Sequence, residues 1–236
     1  MKKFLIFLAF AAMAAPAFAS SSDERNYDAA NVLWRKEASD GHNIAELRGF
    51  SHFSYAFGVV KSNTFTPSKG GAGDLDLNIL EFGIWPASWA GITLGIDFDY
   101  RFFSSKSDSF ILTGDTRKVN TIPFVGTFDK TYSTFNCYGI AFPVLLNLRA
   151  GQFTLAGGIE TNILWGNTYS QTRTRYDKNE SRMYDADINH FTFDIVASLS
   201  YYRLGVIAKY GLPGSPLLPE GSSNLGFWHI GIVLGF

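Results

Sequence analysis

Along residues 92–102 every second position is apolar: Ile92, Leu94, Ile96, Phe98, Tyr100 and Phe102 share one face, and Thr93, Gly95, Asp97, Asp99 and Arg101 share the other. An extended chain produces this period of two, because successive side chains point to opposite sides of the backbone. Residues 191–201 repeat it, with Phe191, Phe193, Ile195, Ala197, Leu199 and Tyr201 set against Thr192, Asp194, Val196, Ser198 and Ser200. So does the C-terminal stretch, where Trp228, Ile230, Ile232, Leu234 and Phe236 alternate with His229, Gly231, Val233 and Gly235. Weaker alternation covers 53–59, 138–148, 153–165 and 204–212. The eighth strand, 75–84, starts with Leu75, Leu77 and Ile79 on its apolar face and then shifts to Leu80, Phe82 and Ile84, which predicts a bulge. Pro143 lies inside the fourth strand and cannot donate to a ladder, so a local bulge or a position at the rim is expected there.

The gaps between these strands are of two kinds that alternate strictly. Short connections fall near 85–88, 149–152 and 202–204, and long polar ones near 61–74, 104–133, 167–190 and 213–224. In an up-and-down meander every other connection lies at the same end, so one rim carries tight turns and the other all the long loops. Outer-membrane barrels have this asymmetry, with short periplasmic turns and long outer loops. About ten residues at roughly 3.3 Å each, tilted near 40°, climb about 25 Å of membrane. Trp85, Trp89, Tyr201, Tyr202 and Phe236 are expected at the periplasmic rim, and Tyr100, Trp165 and Tyr210 nearer the outer one. Because an unpaired backbone group in hydrocarbon costs several kcal/mol, a membrane sheet must close on itself. The sequence therefore predicts an all-β fold, an eight-stranded antiparallel up-and-down transmembrane β-barrel.

The first residues support that location. Lys2 and Lys3, an apolar run over 4–15 and the triplet Ala17-Phe18-Ala19 form a secretory signal peptide with cleavage expected after Ala19. A lipoprotein would need a cysteine next, but Ser20 stands there and the only cysteine is Cys137. The expected organisation is a signal peptide at 1–19, a periplasmic segment at 20–46 and the barrel at 47–236. Removing residues 1–19 takes away two of the 20 basic residues and none of the 21 acidic ones, which leaves a balance of about −3 and no sign of a nucleic-acid partner. A lone cysteine in an exported chain forms no internal disulfide. Aromatic residues at 16% and 23 glycines are unusual for an ordinary soluble domain.

With its signal peptide, the segment 140–148 carrying Pro143, a tight turn, the segment 153–158 ending in Gly157 and Gly158, and a terminal aromatic, the chain resembles the PorT-like small outer-membrane β-barrel proteins. That resemblance implies fold and outer-membrane location. Its members differ in role, so it assigns no catalytic residue.

Arg48, Glu81, Asp97, Asp99, Arg101, Glu160, Asp194 and Lys209 fall on inward faces. An eight-stranded barrel is barely wider than its own side chains, and buried charges persist only when paired, so these predict an ion-pair network that plugs the lumen. The histidines are His42, His52, His190 and His229; His190 begins the sixth strand near Asp185 and Asp187, but no spacing singles out a triad or dyad. Asp185, Asp187 and Asn189 echo the start of a calcium loop, yet His190 occupies its sixth place and the glutamate at the twelfth is missing, so a polar loop is the reading. Arg173, Arg175, Lys178 and Arg182 in the same loop could meet lipopolysaccharide phosphates, although a hydrophilic loop already accounts for them. Cys137 is expected to pack inward between Gly139 and Ala141. No catalytic residue, cofactor or metal ligand is assigned. The expected role is structural or surface-recognition, with a small porin or transporter as the alternative and a rim or lumen hydrolase after it. Expected partners are outer-membrane lipid, lipopolysaccharide and the barrel-assembly machinery, reached through the strand ending at Phe236, and the expected state is a monomer.

Overall fold

A computed structural model describes residues 32–37, 43–61, 71–174, 176–220 and 226–235. The expected signal peptide at 1–19, His42, Arg175, Phe236 and parts of the first and last long connections lie outside the described residues. The described part is all β, with strands β1 (Val32–Glu37), β2 (Asn43–Gly49), β3 (His52–Lys61), β4 (Ala72–Ala87), β5 (Ala90–Ser105), β6 (Asp108–Thr113), β7 (Lys118–Pro123), β8 (Lys130–Ala150), β9 (Phe153–Arg173), β10 (Lys178–Ala186), β11 (Phe191–Tyr201), β12 (Leu204–Gly211) and β13 (Gly226–Gly235). No helix occurs among the described residues.

Eight of these strands close a ring in the order β3, β4, β5, β8, β9, β11, β12, β13, and β13 pairs back onto β3 from Gly226↔Lys61 to Gly235↔His52. All the pairings around the ring are antiparallel. Each ring strand corresponds to one alternating segment of the sequence. Closure leaves no ring strand with a free edge.

The tight connections are where the pattern put them, at Ser88–Trp89, Gly151–Gln152 and Tyr202–Arg203. The long ones hold more structure than a polar composition suggests. β8 and β9 run 21 residues each and stay paired from Ala150↔Phe153 up to Lys130↔Arg173. Above the ring β10 adds to β9, and the β6–β7 hairpin packs beside them. Polar residues here alternate on strands that project beyond the apolar band, so composition hides the periodicity.

The bulge expected in β4 lies at Ile79, where the register with β5 shifts between Asn78 and Leu80. There β4 also changes partners. Its first half pairs with β3 and its second half with β2, whose hairpin with β1 extends below the ring. The chain turns between β2 and β3 at Phe50, with φ 51°, and the buried Asn78 side chain fills the break. Asn78 accepts from the Ser51 N–H at 3.0 Å and donates to the Leu80 carbonyl at 3.1 Å and to Asp97 at 2.7 Å.

Pro143 departs from expectation: it sits in mid-strand and causes no bulge. Pairing of β8 with β5 skips Gly95 and Ile96 and resumes in the same register. A Cβ on Gly95 would come within 2.6 Å of the Pro143 ring, so the missing side chain makes room for it. On the opposite side of β8, a Cβ on Gly158 would fall on the Val144 carbonyl oxygen, whereas one on Gly157 would meet only the Val196 oxygen at 3.8 Å. Gly158→Ala is therefore expected to lower stability by about 1–3 kcal/mol and Gly157→Ala to change it little, as read from urea unfolding of the refolded protein.

Inside and outside are inverted relative to a water-soluble protein. Leu94, Phe98, Ile140, Val144, Ile159, Ile195, Val206, Ile230 and Ile232 on the outer face are exposed, while Asp74, Asp99, Arg101, Asp194 and His229 inside the ring are completely buried. Tyr100, Tyr138 and Trp165 are direct cross-strand neighbours toward the long-loop end, and Tyr210 opposes Trp228 with rings 5.3 Å apart. Trp89, Phe153, Tyr201 and Tyr202 are exposed at the tight-turn end. Trp85 lies at that end as well but not in the exposed belt expected of it: it is buried, with its indole in space left by Gly83 and Gly91, and its Nε1–H donates to Glu46 at 3.1 Å. Once the bulge puts Leu80, Phe82 and Ile84 outside, alternation forces Trp85 inward.

Candidate functional site

The interior of the ring is layered along its axis. At the long-loop end Phe103, Phe135, Leu164 and Phe227 project inward from four ring strands, and Phe110 and Val119 of the β6–β7 hairpin cover them together with Leu217. Ring centroids of 5.9 Å for Phe103–Phe135 and 6.2 Å for Phe110–Phe135 place these side chains in direct contact. Cys137 belongs to this layer as a buried free thiol, as expected. The layer is an apolar stopper.

Beneath it lies a buried ionic cluster. Arg101 Nη2 reaches Asp99 at 2.6 Å, Asp194 at 2.7 Å and Glu160 at 3.4 Å, and its Nε lies 3.4 Å from Asp74. Lys209 Nζ reaches Asp76 at 2.7 Å, Glu160 at 2.9 Å and Asp74 at 3.5 Å. His229 Nδ1 is 2.9 Å from Asp74, and its ring stacks on Phe227 beneath the Arg101 guanidinium. The predicted ion-pair plug is present for Asp99, Arg101, Glu160, Asp194 and Lys209. Alternation determines this geometry: each member sits on the polar face of a strand whose other face is apolar, and closing the ring turns those faces toward one another.

The structure adds Asp74, Asp76 and His229 and relocates three of the predicted residues. Asp74 and Asp76 were legible as the partners of Leu75 and Leu77, but the shift of pattern at Ile79 obscured how far β4 extends. Asp97 belongs to the next layer, bonded to Asn78 and 3.4 Å from His52 Nε2. Glu81 lies 4.0 Å from the other nitrogen of His52. Arg48 leaves the network for the tight-turn rim, where it meets Glu46 at 3.0 Å.

That rim holds a second cluster that sequence reading missed, because its central residue lies in the segment assigned to the periplasm. Glu46 of β2 is buried and has around it Arg48, Arg35 of β1 at 3.8 Å, Arg149 at 3.9 Å and the Trp85 indole. The Arg149 guanidinium carbon lies over Trp85, 3.4 Å from the ring centroid. Between this rim and the ionic cluster the interior is hollow, a cavity of about 180 Å³ that opens at the tight-turn end.

The remaining polar candidates do not assemble into a centre. His190 donates from Nδ1 to the Leu164 carbonyl at 2.7 Å, while Asp185 is exposed and lies 3.9 Å from Arg117. Lys178 pairs with Glu180, which also accepts from the Tyr169 hydroxyl at 2.9 Å; these two donors hold the Glu180 carboxyl below its usual range. Arg182 lies over Tyr169 at 5.3 Å. Comparison of the chain with protein-family models and with curated proteins finds no match.

Proposed function

We propose that this chain is an exported bacterial outer-membrane protein, a small β-barrel with a sealed lumen whose long-loop end serves a structural or surface-recognition role. The carrying observation is the inverted ring: a continuous outer band of exposed Ile, Leu, Val and Phe around a buried ionic interior. In water such a band would be a large liability, whereas against acyl chains it is the favoured surface. Aromatic side chains at both ends of the band and the one-sided distribution of long connections support the same orientation, with tight turns toward the periplasm. The PorT-like resemblance agrees with it.

In this reading the extended β8–β9–β10 sheet stands outside the cell, where Arg173, Lys178 and Arg182 are placed to meet lipopolysaccharide phosphates. β13 closes the ring onto β3 and is the strand offered to the barrel-assembly machinery. With no ring edge free, the protein works as a monomer. The polar inner face suggested a porin or transporter, but the aromatic stopper and the ionic cluster both lie across the path an ion would take. Purified protein in planar bilayers is expected to give no stepwise conductance, and stable unitary steps would contradict the sealed lumen.

A further inference from the structure

The sheet that stands above the ring, formed by β8, β9 and β10, carries a row of like charges on its outward face. Residues directly opposite one another in antiparallel strands share a face, so the register gives the rows in order. Above the Tyr138–Trp165 pair come Asn136 with Asn167, then Thr134, Tyr169 and Arg182, then Tyr132, Gln171 and Glu180, and last Lys130, Arg173 and Lys178. All four cations are exposed. Glu180 is the only acid in these rows, and Lys178 and the Tyr169 hydroxyl already hold its carboxylate. At the strand tips Asp129 is exposed, and Asp177 accepts from the Lys178 N–H and from Asn179. Lys130 and Arg173 make no ion pair and no side-chain hydrogen bond among the described residues.

Positive charges directly opposite one another on strands about 4.8 Å apart repel, so this row weakens the sheet that carries it. An anion lying across the row reverses that cost. A phosphate monoester offers up to two negative charges and three acceptor oxygens, against the single charge of a carboxylate, and an arginine grips it through two parallel hydrogen bonds. Height selects the source of the phosphate. Lys130 lies eight residues beyond Tyr138 on β8, which at roughly 3.3 Å per residue and a tilt near 40° is about 20 Å above the aromatic belt. The headgroup layer outside the hydrocarbon is only about 5–8 Å deep, so the row clears the lipid headgroups and stands among the sugars beyond them. Tyr132 and Tyr169, with ring centroids 6.5 Å apart, lie just below it and add hydroxyls and amphipathic ring faces. Resting on the outer-membrane reading, which puts this sheet outside the cell, we infer that Lys130, Arg173 and Lys178 bind the phosphorylated core sugars of lipopolysaccharide, and not its lipid-borne phosphates.

The test is calorimetric titration of the full chain, folded in uncharged detergent micelles, with core oligosaccharide released from lipopolysaccharide and free of its lipid. No lipid contact enters this measurement, so its failure leaves the membrane reading standing. The phosphorylated oligosaccharide is expected to bind saturably, and the same oligosaccharide after enzymatic dephosphorylation about tenfold or more weakly. Hexaglutamate, which stands in for an acidic protein partner, should also bind about tenfold or more weakly, and lipid A added to the micelles should not displace the oligosaccharide. Arg173→Gln should weaken binding about fivefold and Lys130→Gln combined with Arg173→Gln about tenfold or more, whereas Lys36→Gln, which removes the same charge from an exposed position on β1, should leave it unchanged. Absence of saturable binding, equal affinity for the dephosphorylated sugar or for hexaglutamate, displacement by lipid A, or an equal loss in Lys36→Gln overturns the assignment. Comparisons of ligands on the unmodified protein decide this even if a variant fails to fold.

Discussion

Arg101→Met is expected to destabilise the protein more than any other single substitution inside the ring. The guanidinium is completely buried and lies within 3.4 Å of four carboxylates, those of Asp74, Asp99, Glu160 and Asp194. Removing it leaves their charge to Lys209 alone among the fixed cations of the cluster, and breaking a buried ion pair from one side costs about 3–5 kcal/mol. A chain with the usual 5–15 kcal/mol of stability would lose a large fraction of it. The measurement is the urea midpoint of the protein refolded in detergent, together with its mobility on gels with and without heating. The physical cause is uncompensated charge and not lost volume, so adding Asp99→Asn and Asp194→Asn to Arg101→Met should recover most of the loss. A double or triple variant no more stable than Arg101→Met alone would show that the cluster holds the ring together in some other way.

The second large effect is expected on the outer face. Ile159 is half exposed and lies between Val144 and Ile195, both exposed, in the middle of the apolar band. On the surface of a protein in water, Ile159→Arg would change stability by no more than about 0.5 kcal/mol. Facing acyl chains near the bilayer midplane, the same change should cost about 2–4 kcal/mol. Val125→Arg, in a connection where Val125 is strongly exposed, should have almost no effect in either environment and serves as the control. Unfolding measured in lipid vesicles should show the loss at Ile159 only; equal and negligible effects at both positions would argue against lipid on the outer face.

The number of ring strands and the inward ionic plug follow from period two, because a two-residue repeat fixes which side of the sheet every side chain occupies, and the strand order follows from the alternation of short and long connections. Residues 92–102 illustrate this: once Phe98 and Tyr100 are outside, Asp97, Asp99 and Arg101 have nowhere to go but in. Three features escape that logic. Trp85 reads as an outward-facing belt aromatic until the bulge at Ile79 is counted residue by residue. The length of β8 and β9 is hidden because above the band neither face is apolar, so alternation carries no signal through Tyr169 and Arg173. The cage around Glu46 joins β1, β2, β4 and β8, and no local pattern marks residues that meet only because β4 exchanges one neighbour for another.

The most direct test of the inverted ring is depth-resolved quenching. Cys137 is buried and is the chain's only cysteine, so a Cys137→Ala background accepts single cysteines at Leu94, Ile159 and Val125 for labelling with a small fluorophore. In vesicles, labels at Leu94 and Ile159 should be quenched by lipids carrying a nitroxide deep in the acyl chain and be insensitive to iodide in the buffer, with the opposite response at Val125. Iodide quenching at Leu94 and Ile159 without any effect of the nitroxide lipids would contradict the account.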